Sequence, residues 1–216
     1  MAGSLGRYAG RQSLRVHGLG SVTRARRRAT VGLVARPTAY RLERPGEEGE
    51  VGAVVRAAFG EEEGVDRIVD DLRGSDAWTG LSYVAEYEGR VVGHVSFTRS
   101  LLDAPNRLVE VLVLSPLSVL PGRQGRGIGS ALVRYALSEL DERPEPLVFL
   151  EGSPSYYARF GFVPGTDLGF RRPSRRIPRA AFQVLRLSAY EEWMTGTLVY
   201  HRIWWDHDAV GLRLAL

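Results

Sequence analysis

A short glycine turn, Gln124-Gly125-Arg126-Gly127-Ile128-Gly129, has the residue types and spacing to bind an anion. It follows a Val- and Leu-rich run that starts at Leu108 and ends at Pro121. After it, Ile128, Leu132, Tyr135 and Leu140 fall on one helical stripe. Strand, glycine turn and helix start, in that order, leave the first helical amides without carbonyl partners and pointing outward with the positive end of the dipole. Spacing excludes two common phosphate loops. The chain has no lysine for a Walker loop, and Ser130 stands where the dinucleotide fingerprint G-x-G-x-x-G requires a later glycine. Arg123 and Arg126 flank the turn, where guanidinium groups could meet phosphate oxygens.

The elements that must position this turn are legible on both sides. A short strand over Tyr40 to Leu42 and a Pro45-Gly46 turn lead into a helix from about Glu47 to Phe59 with Val51, Val54, Val55 and Ala58 on its apolar face. A second helix is expected from Val65 to Arg73, with Glu61, Glu62 and Glu63 as its solvated first turn. Strands over Ser82 to Tyr87 and Arg90 to Arg99 form a hairpin across Glu88-Gly89. The Leu108 to Leu114 strand follows, then the turn and its helix. Leu147 to Glu151 reads as a buried strand parallel to it, reached through the helical crossover. A short helix from Ser155 to Phe160 is bracketed by Pro154 and Gly161. A loop with five arginines between Arg171 and Arg179 precedes a last strand in AFQVLRLSAY. The C-terminal GTLVYHRIWWD could add a strand and cover the core with Trp204 or Trp205.

Composition narrows the classes. A chain of 216 residues suffices for one domain with a full core plus appendages. The absence of cysteine excludes disulfides, thiolate metal sites and a cysteine nucleophile. No apolar run approaches the ~20 residues of a membrane helix, so no membrane association and a cytoplasmic location are expected. All 29 basic residues are arginine. Residues 1–36 hold eight of them and no acid, whereas the remainder holds 21 against 25 acids, so the body is mildly acidic. Residues 1–36 read as a disordered, Arg-rich extension preceding a domain over 37–216. That extension resembles a transit peptide or a nucleic-acid arm in composition, but such compositions are nonspecific, and nucleic acid is not the expected partner. His201, Asp206, His207 and Asp208 have no standard metal spacing, and no metal is expected. His94 lies within a strand and reads as a packed residue.

The pattern L-x-V-x-P followed by Q-x-x-G-x-G, matched by Leu117, Val119, Pro121, Gln124, Gly127 and Gly129, resembles the pyrophosphate loop of the GNAT superfamily of acetyl-CoA-dependent N-acetyltransferases. A second motif, Tyr156-Tyr157-Ala158-Arg159-Phe160-Gly161-Phe162, stands downstream at the usual distance, and the likeness covers roughly residues 38–205. It implies an α/β fold: a mixed, mainly antiparallel twisted sheet with a splayed parallel central strand pair, flanked by helices. Pro116 within the organising strand fits that splaying, since proline interrupts pairing. The resemblance further implies acetyl-CoA as cosubstrate, with pantetheine lying against the backbone of Leu117, Ser118 and Val119 as a pseudo-strand. The diphosphate would lie on the turn from Arg123 through Gln124, Gly125, Arg126, Gly127, Ile128 and Gly129 to Ser130.

For catalysis, the resemblance makes Tyr157 the candidate acid for the departing thiolate, with Tyr156 turned away. Glu110 is the candidate base, and Ser115 stands where some relatives have histidine. No single base is unmistakable, and a water path could serve instead. Without a cysteine or a serine-hydrolase elbow, direct attack by a small-molecule or peptide amine is expected rather than an acyl-enzyme. The acceptor cleft is expected between the first two helices and the loops after Arg99 and Gly165. The rival reading is an acyl-CoA-binding or RNA-associated module without turnover. Exposed tryptophans at the C-terminal strand would be compatible with a homodimer.

Overall fold

The computed structural model describes residues 38–212, so the Arg-rich extension at 1–36 lies outside the described residues. The elements are β1 (Ala39–Leu42), α1 (Glu48–Phe59), α2 (Val65–Arg73), β2 (Trp78–Tyr87), β3 (Arg90–Asp103), β4 (Leu108–Val119), α3 (Ile128–Ser138) and β5 (Leu147–Glu151). Then follow α4 (Pro154–Tyr157), β6 (Val163–Pro164), β7 (Phe182–Arg186), β8 (Thr197–Val199) and α5 (Arg202–Asp206). The sheet order is β1-β2-β3-β4-β5-β7-β6, with β8 added to the far end of β3. Among the described residues all strand pairings are antiparallel except β4 with β5.

β4 organises the packing because it is buried on both faces. Val109, Val111 and Val113 join one core with Leu147, Phe149, Phe170, Ile177 and Trp204. Leu112 and Leu114 enter a second core with Ile128, Leu132, Val133 and Ala136 of α3. This two-sided burial explains why the segment reads as an almost unbroken apolar run rather than an alternating one. A third, smaller cluster seats α1 and α2 through Val51, Val54, Val55 and Val65 on Val84 and Val91.

The parallel ladder between β4 and β5 consists of two residue pairs, Leu112 with Val148 and Val113 with Phe149. Past them the strands part. On its other edge β4 keeps pairing with β3, but the register shifts between Phe97↔Leu114 and Val95↔Leu117, so Ser115 and Pro116 bulge opposite Ser96. The Ser115–Pro116 peptide is cis. The expected fork is therefore present, with Pro116 at its mouth.

Several boundaries differ from expectation. Glu61–Glu63 form a separate 3₁₀ turn ended by Gly64, not the first turn of α2. β2 starts four residues earlier than expected, β3 runs on to Asp103, and β4 continues to Val119; pairing with neighbours extends each beyond its own apolar pattern. The short helix splits into α4 and a 3₁₀ turn, Ala158–Phe160. Of the two tryptophans, Trp204 is buried and Trp205 is 40% exposed, so a single exposed indole, not a pair, marks the C-terminal segment. That segment is fastened to the body by His207 Nε2 to Asp71 Oδ2 at 2.6 Å, His201 Nε2 to Asp76 Oδ1 at 2.9 Å and Arg176 to Asp208 at 2.8 Å.

Phe149 ties the β4–β5 pair to the rest of the core, stacked on Phe182 at 5.5 Å and edge-on to Phe170 at 5.2 Å. Phe149→Ala is expected to lower unfolding free energy by ~3–5 kcal/mol in chemical denaturation. A loss below ~1 kcal/mol would show that this cluster does not hold the fork in place.

Candidate active site

The glycine turn is built as the anion-site reading requires. Pro121–Arg123 make one 3₁₀ turn, and the Gln124 side-chain amide donates to the Val119 carbonyl at 2.9 Å, tying the turn back to β4. Gly127 caps α3 at φ 82°, a left-handed conformation that a side chain resists. The first bond of α3 runs from Ala131 N–H to the Gly127 carbonyl at 2.9 Å, so the amides of Ile128, Gly129 and Ser130 have no helical acceptor. Arg126 is exposed beside them, while the Arg123 guanidinium lies 3.9 Å over the Tyr87 ring. The Ser130 side chain meets the Tyr156 hydroxyl, which docks α4 onto the start of α3 and accounts for Tyr156 turning from the fork. Ser118 is buried with its hydroxyl directed at the His94 carbonyl.

The fork opens onto a small cavity of about 60 Å³. Val113, Leu114, Ser115, Pro116 and Leu117 line its β4 side, and Glu151, Gly152, Ser153 and Tyr157 its β5 side. Phe59, Tyr200, Trp204 and Ala209 close the remaining wall. The expected acceptor cleft is corrected in part. Phe59 at the end of α1 contributes, but no loop follows Arg99, because β3 continues, and the C-terminal segment supplies the opposing wall.

Tyr157 reaches the cavity because Gly152 lets it. A Cβ at Gly152 would sit 2.3 Å from Cε2 of the Tyr157 ring, so the ring lies directly across the glycine. Tyr156, Phe160 and Phe162 hold it edge-on. Burial pushes the phenol well above its ordinary range, so it stays protonated at any working pH.

Glu151 is the residue that sequence reasoning missed. It ends β5 beside Tyr157, partly accessible through the cavity, and accepts a hydrogen bond from the Tyr200 hydroxyl at 3.1 Å. Burial raises its carboxyl to about 7, against the lowering effects of the Tyr200 hydroxyl, the Gly211 amide and Arg176. A carboxyl poised near neutrality in a cleft is suited to moving a proton. The available signal was an acid closing an otherwise apolar strand at the carboxyl end of a parallel pair, where ligands bind in open sheets.

The structure does not bring Glu110 to the fork. It lies five residues before Ser115, roughly 16 Å along an extended strand, on the closed side of the parallel pairing. There its carboxylate pairs with Arg99 at 2.8 Å, both groups near half exposed. Ser115 does line the cavity, but no base lies in hydrogen-bond contact with its side chain. His94 is fully buried, its Nε2 is 2.9 Å from the Ser82 hydroxyl, and burial and then Arg73 push its pKa down to about 3. It therefore sits neutral inside the fold. Among the described residues no three His, Cys, Asp or Glu side chains gather into a metal site.

Gly152→Ala is expected to displace the Tyr157 ring and lower any acetyl transfer at least tenfold while leaving affinity for CoA unchanged. Calorimetry and kinetics on one preparation would check this. An unchanged rate would show that the ring can be accommodated elsewhere without cost.

The chain is similar in sequence and fold to proteins of one family. The Acetyltransferase (GNAT) domain family model matches residues 39–165. Two Escherichia coli K12 proteins, both named uncharacterized N-acetyltransferases, are 33% identical to the chain: YjhQ over 68% of this chain and 83% of its own length, and YhbS over 74% and 95%. The crystal structure of E. coli YhbS in complex with CoA superposes with a TM-score of 0.72 at 28% identity, covering 86% of this chain and all of that one. A Brucella melitensis GNAT family acetyltransferase in complex with acetyl-CoA gives 0.63 at 34% identity, over 78% of this chain and 98% of that one. With the forked parallel pair, the glycine turn capping α3 and these matches in hand, the chain belongs to the GNAT acetyltransferase family.

Proposed function

We propose that the protein transfers acetyl from acetyl-CoA to a primary amine by direct attack in a ternary complex. One observation carries this reading: Glu151 and Tyr157 line the same cavity at the fork, one a carboxyl of near-neutral pKa and the other a protonated phenol. The crystal structures of YhbS with CoA and of the Brucella protein with acetyl-CoA support the choice of cosubstrate. The residues fit it. The amides of Ile128, Gly129 and Ser130 would receive the diphosphate, and the backbone of Leu117, Ser118 and Val119 along the open edge of β4 would receive pantetheine.

Bound acetyl-CoA would supply an acyl thioester at the fork. Glu151, ionised, takes a proton from the entering ammonium and leaves a nitrogen lone pair able to attack the carbonyl. Tyr157 serves the departing sulfur. Full proton transfer from a phenol whose pKa burial has raised, to a thiolate whose conjugate acid lies near ~8.5, is uphill, so its contribution is a hydrogen bond to sulfur as the C–S bond breaks, while the second proton shed by the tetrahedral nitrogen goes to the departing thiolate. With Glu151 as base, the cleft holds a group that a binding module without turnover would not need. Phe59, Tyr200, Trp204 and Ala209 give the acceptor side apolar and aromatic walls around one carboxylate, which fits a cationic amine with an apolar or aromatic body.

Because Glu151 must enter ionised, kcat/KM is expected to rise with unit slope to about pH 7 and then level. Glu151→Gln is expected to lose that limb and fall ~10²–10⁴-fold. A carboxyl raised in the folded state costs stability as pH climbs from its unfolded value toward 7, so this variant should melt no lower than wild type at pH 8. Glu110→Gln should stay within about twofold, since an exposed pair contributes little. A limb that survives in Glu151→Gln, or vanishes in Glu110→Gln, would reassign the base.

Tyr157→Phe is expected to lower kcat ~10–100-fold with little change in KM for acetyl-CoA, read as CoA release with aryl-alkyl amines, polyamines and peptides as acceptors. Wild type that binds acetyl-CoA yet releases no CoA with any acceptor would refute the enzymatic reading.

A further inference from the structure

The loop between β6 and β7 forms an open cup of about 330 Å³, lined by Arg171, Arg172, Arg175 and Arg179 together with Ser174 and Thr166. No carboxylate lines it, and among the described residues none lies within ion-pair distance of these four guanidinium groups. The nearest acid in sequence, Asp167, receives only a long 3.4 Å bond from Thr166 and stays outside the cup. Elsewhere arginines such as Arg41, Arg73, Arg143 and Arg176 are matched to acids. Here two are held by neutral partners instead: Arg171 Nε donates to Thr197 Oγ1 at 2.8 Å, and Arg172 donates to the Ile177 carbonyl.

The loop is fixed in place. Phe170 and Ile177 are anchored in the core, Arg171 N–H bonds the Gly196 carbonyl at 2.7 Å, and Leu212 N–H bonds the Arg176 carbonyl at 3.0 Å. Ser174 Oγ already accepts from the Arg176 amide at 3.2 Å, so its hydroxyl proton is available to donate outward. Like charges are thus held together on a pinned, concave surface of a body that is otherwise mildly acidic, an arrangement an anion would relieve.

We infer that this cup binds a phosphate- or diphosphate-bearing small ligand. Four guanidinium forks exceed what the two oxygens of one carboxylate can accept, whereas a phosphoryl group offers three terminal oxygens with close to two charges. The volume lies at the small end of the range for ligand pockets, about 300–1,000 Å³. The concavity fits a compact anion better than an extended polyanion, which would need a basic stripe.

The test is titration of the full chain with inorganic phosphate and diphosphate at fixed ionic strength, with CoA present at saturation so that the glycine turn is occupied. Wild type is expected to bind, with a rise in melting temperature, and Arg175→Gln/Arg179→Gln to bind at least tenfold more weakly while melting normally without ligand and turning over acetyl-CoA as before. Anion binding that the double variant retains, that CoA abolishes, or that sodium chloride of equal ionic strength reproduces would overturn the proposal. So would dependence of RNA binding on these arginines in the absence of any phosphate binding.

Discussion

The parallel ladder between β4 and β5 closes for two residue pairs and then stops, and the site exists because it stops there. Had pairing continued, Leu114 to Leu117 would be zipped against Leu150 to Ser153, and there would be no cavity for Glu151 to line. Two features keep the strands apart. The bulge at Ser115–Pro116 takes β4 out of register on its β3 edge, and β5 is drawn toward β7, with the Gly152 amide bonded to the Ala181 carbonyl at 2.9 Å. The cores on both faces of β4 hold the paired part rigid, so the divergence is a fixed shape rather than a fluctuation.

Around that gap the chain assembles polar groups with opposite relations to water. The helix start at α3 leaves three amides without a helical acceptor beside the exposed Gly125, Arg126 and Gly127, where an anion can displace solvent. Glu151 is instead withdrawn from solvent, and the cost of withdrawal is what raises its carboxyl to about 7. The Tyr200 hydrogen bond and the Gly211 amide limit that rise. The C-terminal segment therefore both covers the carboxyl and limits its pKa rise, and the His201, His207 and Asp208 contacts fasten that segment to the body.

Local chemistry was legible residue by residue. Glycines at fixed spacing after an apolar run named the turn, because left-handed capping and free helix-start amides are properties of a few consecutive residues. The same holds for the Glu88-Gly89 hairpin and for the proline and glycine bracketing α4. Boundaries were misread where pairing, not propensity, sets them, as for β3 running to Asp103 with β8 as partner, or where Gly64 interrupts what looked like one helix start. Glu110 and Glu151 show the limit most clearly. Both are glutamates on adjacent buried strands, but one ends in a half-exposed ion pair with Arg99 and the other behind Tyr200.

By itself the sequence determined the strand–turn–helix unit, the order of elements and the second motif that brings a tyrosine to the fork, since each depends on contacts between near neighbours. Only the tertiary structure decided which carboxyl lines the cavity and which residues wall it. Tyr200 meets Glu151 across 49 residues of chain, and Phe59 comes from the opposite end of the domain. Burial, and the pKa that follows from it, is a property of everything packed around a group, so no short stretch of sequence carries it.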